Sequence, residues 1–308
     1  MTIASGQNVT ISMKAESTYA TAATGNYDLV PFSSESLTLS KTNYESGIIA
    51  GDREVRDIRM GSHSVSGDIS FDLSYQATYI TMLQALLGVS AQEAGGDFAV
   101  GSVRNSFSFQ KSFETDLAGS DDVHLFTGLE VNSFALTVPA DGLVTGSFSF
   151  VGANMTTEDA LVGTDVTYTD ANNPFHSSEV TITEGGSSQS IITDLSLTIE
   201  NGIATANIIG STEPIQGGIG KCRVTGSLTA HFTSGALYEK FVANTSTSLL
   251  ISMGATTTGL SISLPEVLYT TGVVNVGGEG LISVTMDFVA MRDDATDVSA
   301  ITIDANLT

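Results

Sequence analysis

The chain has 308 residues, 34 of them acidic and 11 basic, for a net charge of −23. Charged residues make up only 15% and mean hydropathy is +0.18, which argues against intrinsic disorder. The filling of Gly, Ser and Thr, with no Trp, argues against a helical bundle or coiled coil, and a pI near 4.1 opposes tight binding to nucleic acid or anionic membrane.

The length suggests two domains. A single cysteine, Cys222, rules out an intramolecular disulfide framework. The opening Met1-Thr-Ile-Ala-Ser-Gly-Gln lacks the basic-then-apolar pattern of a secretory leader, so the expectation is synthesis in a cytoplasm without a membrane anchor. No apolar run approaches the ~20 residues that span a bilayer.

In chain order, Val65 to Tyr75 alternates cleanly, with Ile69, Phe71, Leu73 and Tyr75 on one side and Asp68, Ser70, Asp72 and Ser74 on the other. A helix is predicted over Thr78 to Leu87, stopped by Gly88. The period of two returns in Ser106-Phe-Ser-Phe109, Phe134 to Val138, Ser147-Phe-Ser-Phe150, Leu195 to Ile199 and Val224 to Leu228. Pro139 to Gly142, Glu200-Asn-Gly202 and Gly277-Gly278 read as turns, and Ala236 to Ala243 as the second helix. The fold class is therefore mainly β.

The halves resemble each other. Gly61 falls on Gly220, Val65-Ser-Gly67 on Val224-Thr-Gly226, and Ala77 and Tyr79 on Ala236 and Tyr238, so that the two helices coincide. Leu37-Thr-Leu39 aligns with Leu195-Ser-Leu197, Asp141 to Val144 with Glu279 to Ile282, and Phe150-Val151 with Phe288-Val289. This reads as duplication of one β domain: a first copy over 1–155, a second over 156–308, and a joint in the polar stretch 156–173.

Catalytic and cofactor signatures are weak. His63, His124, His176 and His231 are scattered without metal-ligand spacing. Gly217-Gly-Ile-Gly220-Lys221 lacks the first Gly and the final Ser/Thr of a phosphate loop, and its glycines are expected to supply positive φ in a hairpin. Asp121-Asp122 and Asp293-Asp294-Ala-Thr-Asp297 lack EF-hand spacing and read as solvated loops. Cys222 reads as a small apolar strand residue. No catalytic, cofactor-binding or metal residue is assigned, and the chain does not read as an enzyme.

Lys14-Ala-Glu16-Ser-Thr18-Tyr19-Ala-Thr21 resembles the N-terminal signature of siphophage tail tube (major tail) proteins. Further elements follow in that family's order: Phe32 to Leu39, Ile49 to Arg53, Gly61, Val65 to Ile69, the helix ending Leu86-Leu87-Gly88, and a Phe-rich strand after Arg104. Phe126-Thr-Gly128 then leads to Gly142-Leu-Val-Thr-Gly-Ser-Phe148. The resemblance covers residues 10–155, and reaches the second half mainly through the repeat.

It implies tandem β-sandwich tube domains, each with a flanking helix, whose inner sheets join into a ring-shaped barrel. Rings stack into a hollow tube of the virion tail, made in the host bacterial cytoplasm. Two domains per chain imply homotrimeric, pseudo-sixfold rings, with a hexamer as the alternative. Implied partners are the tape-measure, tail terminator and baseplate or distal tail proteins, and DNA in transient, non-specific passage. An acidic lumen repels phosphate, and Asp68, Asp72 and Asp287 are the candidates for its lining. Arg53, Arg56 and Arg59, the densest basic cluster, read as lying between two strands and are the candidate contact to an adjacent ring; the matching stretch, Ile208 to Arg223, has Glu213-Pro214 and only two cations.

Competing readings stay open. Composition also suits another self-assembling shaft or layer protein, which predicts an export signal, and an adhesive or carbohydrate-acting β-sandwich, which predicts clustered exposed aromatics. A contractile-tail or secretion-system tube shares the fold.

Overall fold

Segments that alternate apolar and polar residues become strands because only an extended backbone, with side chains on opposite faces, buries every second residue. The computed structural model describes residues 5–49, 51, 54–90, 96–113, 123–166, 173–255, 258–276 and 280–305. Its strands run β1 (Thr10–Ala15), β2 (Tyr27–Leu29), β3 (Ser34–Glu35), β4 (Thr38–Glu45), β5 (Ile58–Asp72), β6 (Asp97–Ala99), β7 (Phe107–Ser112), β8 (Val123–Val138), β9 (Thr145–Gly152), β10 (Asn154–Glu158) and β11 (Asp165–Val166). They continue as β12 (Val180–Glu184), β13 (Ser187–Ser188), β14 (Ile192–Glu200), β15 (Arg223–His231), β16 (Thr247–Met253), β17 (Leu260–Tyr269), β18 (Val273–Asn275), β19 (Ser283–Met291) and β20 (Thr302–Asp304). Helix α1 (Ala77–Leu86) follows β5 and α2 (Ala236–Val242) follows β15, both where the sequence predicts them. The Asp121-Asp122 and Gly277-Gly278 readings lie outside the described residues.

One antiparallel sheet runs through the whole chain in the order β4–β5–β9–β8–β14–β15–β19, ending in β17 and β18 placed end to end on β19. The series β4–β5–β9–β8 and the series β14–β15–β19–β17/β18 have the same internal order, and the β8–β14 ladder joins them. The N-terminal part of β8 bends into a second sheet, β2–β1–β7–β8–β10, and β17 does likewise in β13–β12–β16–β17–β20. The sheets pack as a β-sandwich, with Phe109 of β7 edge-on to Phe150 of β9 at 5.1 Å. Residues 156–158, expected in the joint, lie in β10 paired with β8, and β6 pairs with β20 across the two halves.

The inner faces form one apolar core. β9 buries Gly146, Phe148, Phe150 and Gly152 in strict alternation, and β19 buries Val284, Met286, Phe288 and Ala290. Tyr79 of α1 stacks on Phe71 at 4.1 Å, while Met82, Leu83 and Leu86 are buried beside it. Gly88, at φ +72°, ends α1 in the left-handed conformation that a helix stop needs.

Strand registers correct one alignment. Thr38 pairs with Ser66 and Thr198 with Thr225, so with Ser66 matched to Thr225, Leu37 corresponds to Leu197 and not to Leu195. The slip is two residues. A slip of two leaves every side chain on its own face, so hydrophobic alternation alone does not detect it.

Candidate functional site

The N-terminal signature is a structural clasp. The Glu16 carboxylate accepts hydrogen bonds from the Ser106 hydroxyl at 2.7 Å, the Ser108 hydroxyl at 2.8 Å, the Gly128 amide at 2.9 Å and the Ala20 amide at 3.0 Å. Gly128 adopts φ +70°, and a Cβ there would stand 2.8 Å from that of Ala153, so Phe126-Thr-Gly128 needs its glycine to present this amide. Burial, with help from Glu130 and Glu16, pushes the Tyr19 phenol up to about 12. Alternation does not reveal Glu16 or Glu130. The available signal is a carboxylate set inside apolar strand sequence, as Glu130 is between Leu129 and Val131.

The three candidate lumen aspartates come together on one face of the long sheet. Strand pairing carries a row from Asp72 through Thr145, Thr137, Ser196 and Ser227 to Asp287. A parallel row runs from Asp68 through Ser149 and Ser133 to Glu200 and Arg223. All three aspartates are exposed. In the first series Asp68 faces Ser149; at the matching pair of the second series Ser227 faces Asp287, so the carboxylate has changed strands but kept its place. The Thr271 hydroxyl donates to Asp287 at 2.7 Å and, together with Ser227, holds that carboxyl below the usual range.

The arginine cluster divides differently. Arg53 lies outside the described residues. Arg59 lies on β5, opposite Tyr44 of β4, and its Nε meets Asp57 at 3.1 Å; Arg56 precedes the strand. The sequence reading placed all three between strands. β5 pairs with β9 only from Val65 onward, so Asn43–Glu45 and Ile58–Met60 form a two-stranded arm beyond the sheet. Tyr44, Ile48, Ile49, Val55, Ile58 and Met60 are exposed on this arm and its loop.

The corresponding connection between β14 and β15, residues 201–222, lies across the first series. The Asn201 side chain donates to the Leu86 carbonyl at 2.6 Å, and the Ile203 amide donates to the Asn132 side chain at 2.7 Å. Arg104 meets Glu130 at 2.5 Å and also donates to the Gly217 carbonyl, while Gln216 donates to Glu130 at 2.7 Å. The expectation of positive φ at Gly217 to Gly220 fails: none adopts it. The glycine is needed for approach, because a Cβ at Gly217 would fall 1.7 Å from the Ala204 carbonyl oxygen.

At Asp293 to Asp297 the Asp293 carboxylate accepts from the Ala295 and Thr296 amides and the Thr296 hydroxyl, and Arg292 pairs with Asp294 and Asp297. This is a self-contained turn. His176 caps a short 3-10 turn with Glu179. Among the described residues no His, Cys, Asp and Glu side chains gather as a metal site. No helix of the described residues is long and apolar enough to cross a membrane.

These observations define a mainly β sandwich protein whose distinctive surfaces are a long polar sheet face and a projecting arm. The family model described as "Phage tail tube protein" matches residues 6–290, and the chain belongs to that family. It is a structural, self-assembling subunit of the virion tail. No curated protein sequence matches the chain.

Proposed function

We propose that three copies of this chain close into a pseudo-sixfold ring, that rings stack into the hollow tube of a non-contractile phage tail, and that the polar face carrying Asp68, Asp72 and Asp287 lines the conduit. Each chain then contributes two tube domains, divided near 156–173. The observation that carries this reading is the continuous sheet itself: two series of the same strand order, already joined side by side, with carboxylates at matching places on one face. An acidic, hydroxyl-rich wall repels phosphate and offers few counterion-releasing contacts, so DNA slides and is not held. The tube would meet tape-measure, terminator and baseplate or distal tail proteins at its ends. Negative-stain electron microscopy of concentrated protein, with end-on views averaged, tests the reading. Stacked hollow rings of three chains support it, rings of six chains overturn the duplication alone, and an absence of rings both in solution and on tails overturns the function.

The arm between β4 and β5 is the proposed contact to the next ring, with the exposed Ile48, Ile49, Val55 and Met60 as its apolar centre and Arg53, Arg56 and Arg59 as a basic rim against an acidic neighbour. Charge reversal of the three arginines is expected to leave the fold intact, by circular dichroism, and to stop tube growth at single rings. Tubes of ordinary length from that variant would refute the contact.

A further inference from the structure

The chain contains one filled junction and two halves of another. Inside the chain, the outer edge of β8 is covered by β14 in antiparallel register, with Thr137 opposite Ser196, Leu136 opposite Leu197 and Ala135 opposite Thr198. The strand equivalent to that part of β8 is β18, because Ala135, Leu136 and Thr137 sit on β9 as Val273, Val274 and Asn275 sit on β19. The strand equivalent to β14 is the β3–β4 segment, by the register of Thr38 on Ser66 and of Thr198 on Thr225. Among the described residues, β18 is paired only with β19, and β3 and β4 only with β5.

Burial marks β18 as an unfinished edge. Leu136 and Val138, next to the filled junction, are 1% and 5% exposed; their counterparts Val274 and Val276 are 38% and 68% exposed. A strand edge that leaves apolar side chains in water invites another strand. On the other edge the Leu37 amide, which points away from β5, is capped by the chain's own Glu35 carboxylate at 3.1 Å, and Glu35 is also paired with Lys111. In the single chain that cap satisfies the amide in place of a strand partner.

We propose that β18 of one copy pairs antiparallel with the β3–β4 edge of the next copy, in the register of the internal β8–β14 ladder: Asn275 opposite Ser36, Val274 opposite Leu37 and Val273 opposite Thr38. This inference deepens the ring reading and rests on it. The partner is a second copy of this chain, because each open edge is matched within the chain by a strand that already makes the complementary half of the contact. The contact is head-to-tail, so it leaves open edges in any linear series and closes only in a ring.

Disulfide trapping tests the register in the full chain. Residues directly opposite in an antiparallel pair lie about 4.5–5.5 Å apart at Cα, within disulfide reach, whereas diagonal neighbours at about 7–8 Å are not. Thr38→Cys with Val273→Cys is the test pair, and Ser36→Cys with Val273→Cys is the diagonal control. Native Cys222 is a weak competitor, since burial raises its thiol to about 11. Under mild oxidation of concentrated protein, the test pair is expected to give covalent multimers that end in a closed species, while the control pair and each single cysteine remain monomeric on a non-reducing gel. Val274→Lys in the test pair is expected to keep the unfolding midpoint, because that site is partly solvated in the single chain, and to reduce the multimer at least tenfold.

Rings visible by electron microscopy that crosslink only through the control pair, or not at all, overturn the register and leave the tube reading standing. Dimers from a single cysteine overturn the head-to-tail polarity. A chain that stays monomeric and uncrosslinked at millimolar concentration, and forms no rings either in solution or on tails, overturns the junction and the ring reading together.

Discussion

Glu16 shows how one side chain ties the N-terminal signature to two strands and a bend. Its two oxygens accept from the hydroxyls of Ser106, just ahead of β7, and Ser108 of β7, and from the backbone amides of Ala20 and of Gly128 in β8. Hydrogen bonds to a charged acceptor are each worth about 1.5–3 kcal/mol when a buried donor is otherwise left unpaired. Glu16→Gln keeps the shape but removes the charge and turns one oxygen into a donor facing donors. A loss of about 2–3 kcal/mol is expected on that basis, read as a lower urea midpoint at unchanged slope. An unchanged midpoint would mean that the signature acts only in assembly. Alternation assigns no strand ahead of Glu16 and no role to it, since hydrogen-bond partners ninety residues away leave no local trace.

At the scale of the element, periodicity located β5, β7, β8, β9, β14 and β15 and both helices. It did so because each strand buries one face, which writes a period of two into residues such as Phe148 and Phe150 or Leu195 and Leu197. It did not read the longer strands β1, β4, β16, β17 and β19, nor short ones held by a distant partner, such as β6 (Asp97–Ala99), which pairs with β20. It also set Leu37 two residues from its structural counterpart. The glycines matched between the halves have a tertiary reason. A Cβ at Gly226 would stand 2.4 Å from the Phe288 ring and 2.4 Å from the Ser196 carbonyl oxygen, and one at Gly67 would stand 2.6 Å from the Leu37 backbone. Both glycines face a phenylalanine across the ladder, Gly67 facing Phe150 and Gly226 facing Phe288. Gly226→Ala is therefore expected to destabilise by about 1–3 kcal/mol through overpacking. Calorimetry checks this, and combining it with Phe288→Leu should restore part of the loss; full additivity of the two changes would refute the contact as the cause.

For the whole molecule, the distribution of charge matters more than its total. Of the net −23, the part assigned to the conduit is the set of carboxylates on the polar face of the long sheet, with Arg223 set among them. Replacing Asp68, Asp72 and Asp287 with Lys changes the charge of that face by six units per chain without touching the core, so folding and tube formation are expected to survive. Short duplex DNA should then sediment with the tubes at about 0.1 M salt, where native tubes leave it in solution, since each added phosphate contact gains counterion-release free energy. DNA that is retained but fully open to nuclease would put this face outside the tube.

The sequence by itself determined the class: a mainly β chain with a helix after each of two matching strands, strongly acidic, with the ordered motifs of tail tube proteins. Those properties are local, because alternation, helix stops and composition are written in neighbouring residues. Tertiary structure decided what depends on residues far apart in the chain. It placed Asp68, Asp72 and Asp287 on one face, set the registers that relate the two strand series, put Arg59 on a strand, and left β3–β4 and β18 each with a single strand partner among the described residues. Strand register is fixed by ladder partners and by close approaches such as that of Gly226 to Phe288, and a shift of two residues preserves the hydrophobic pattern while changing every partner.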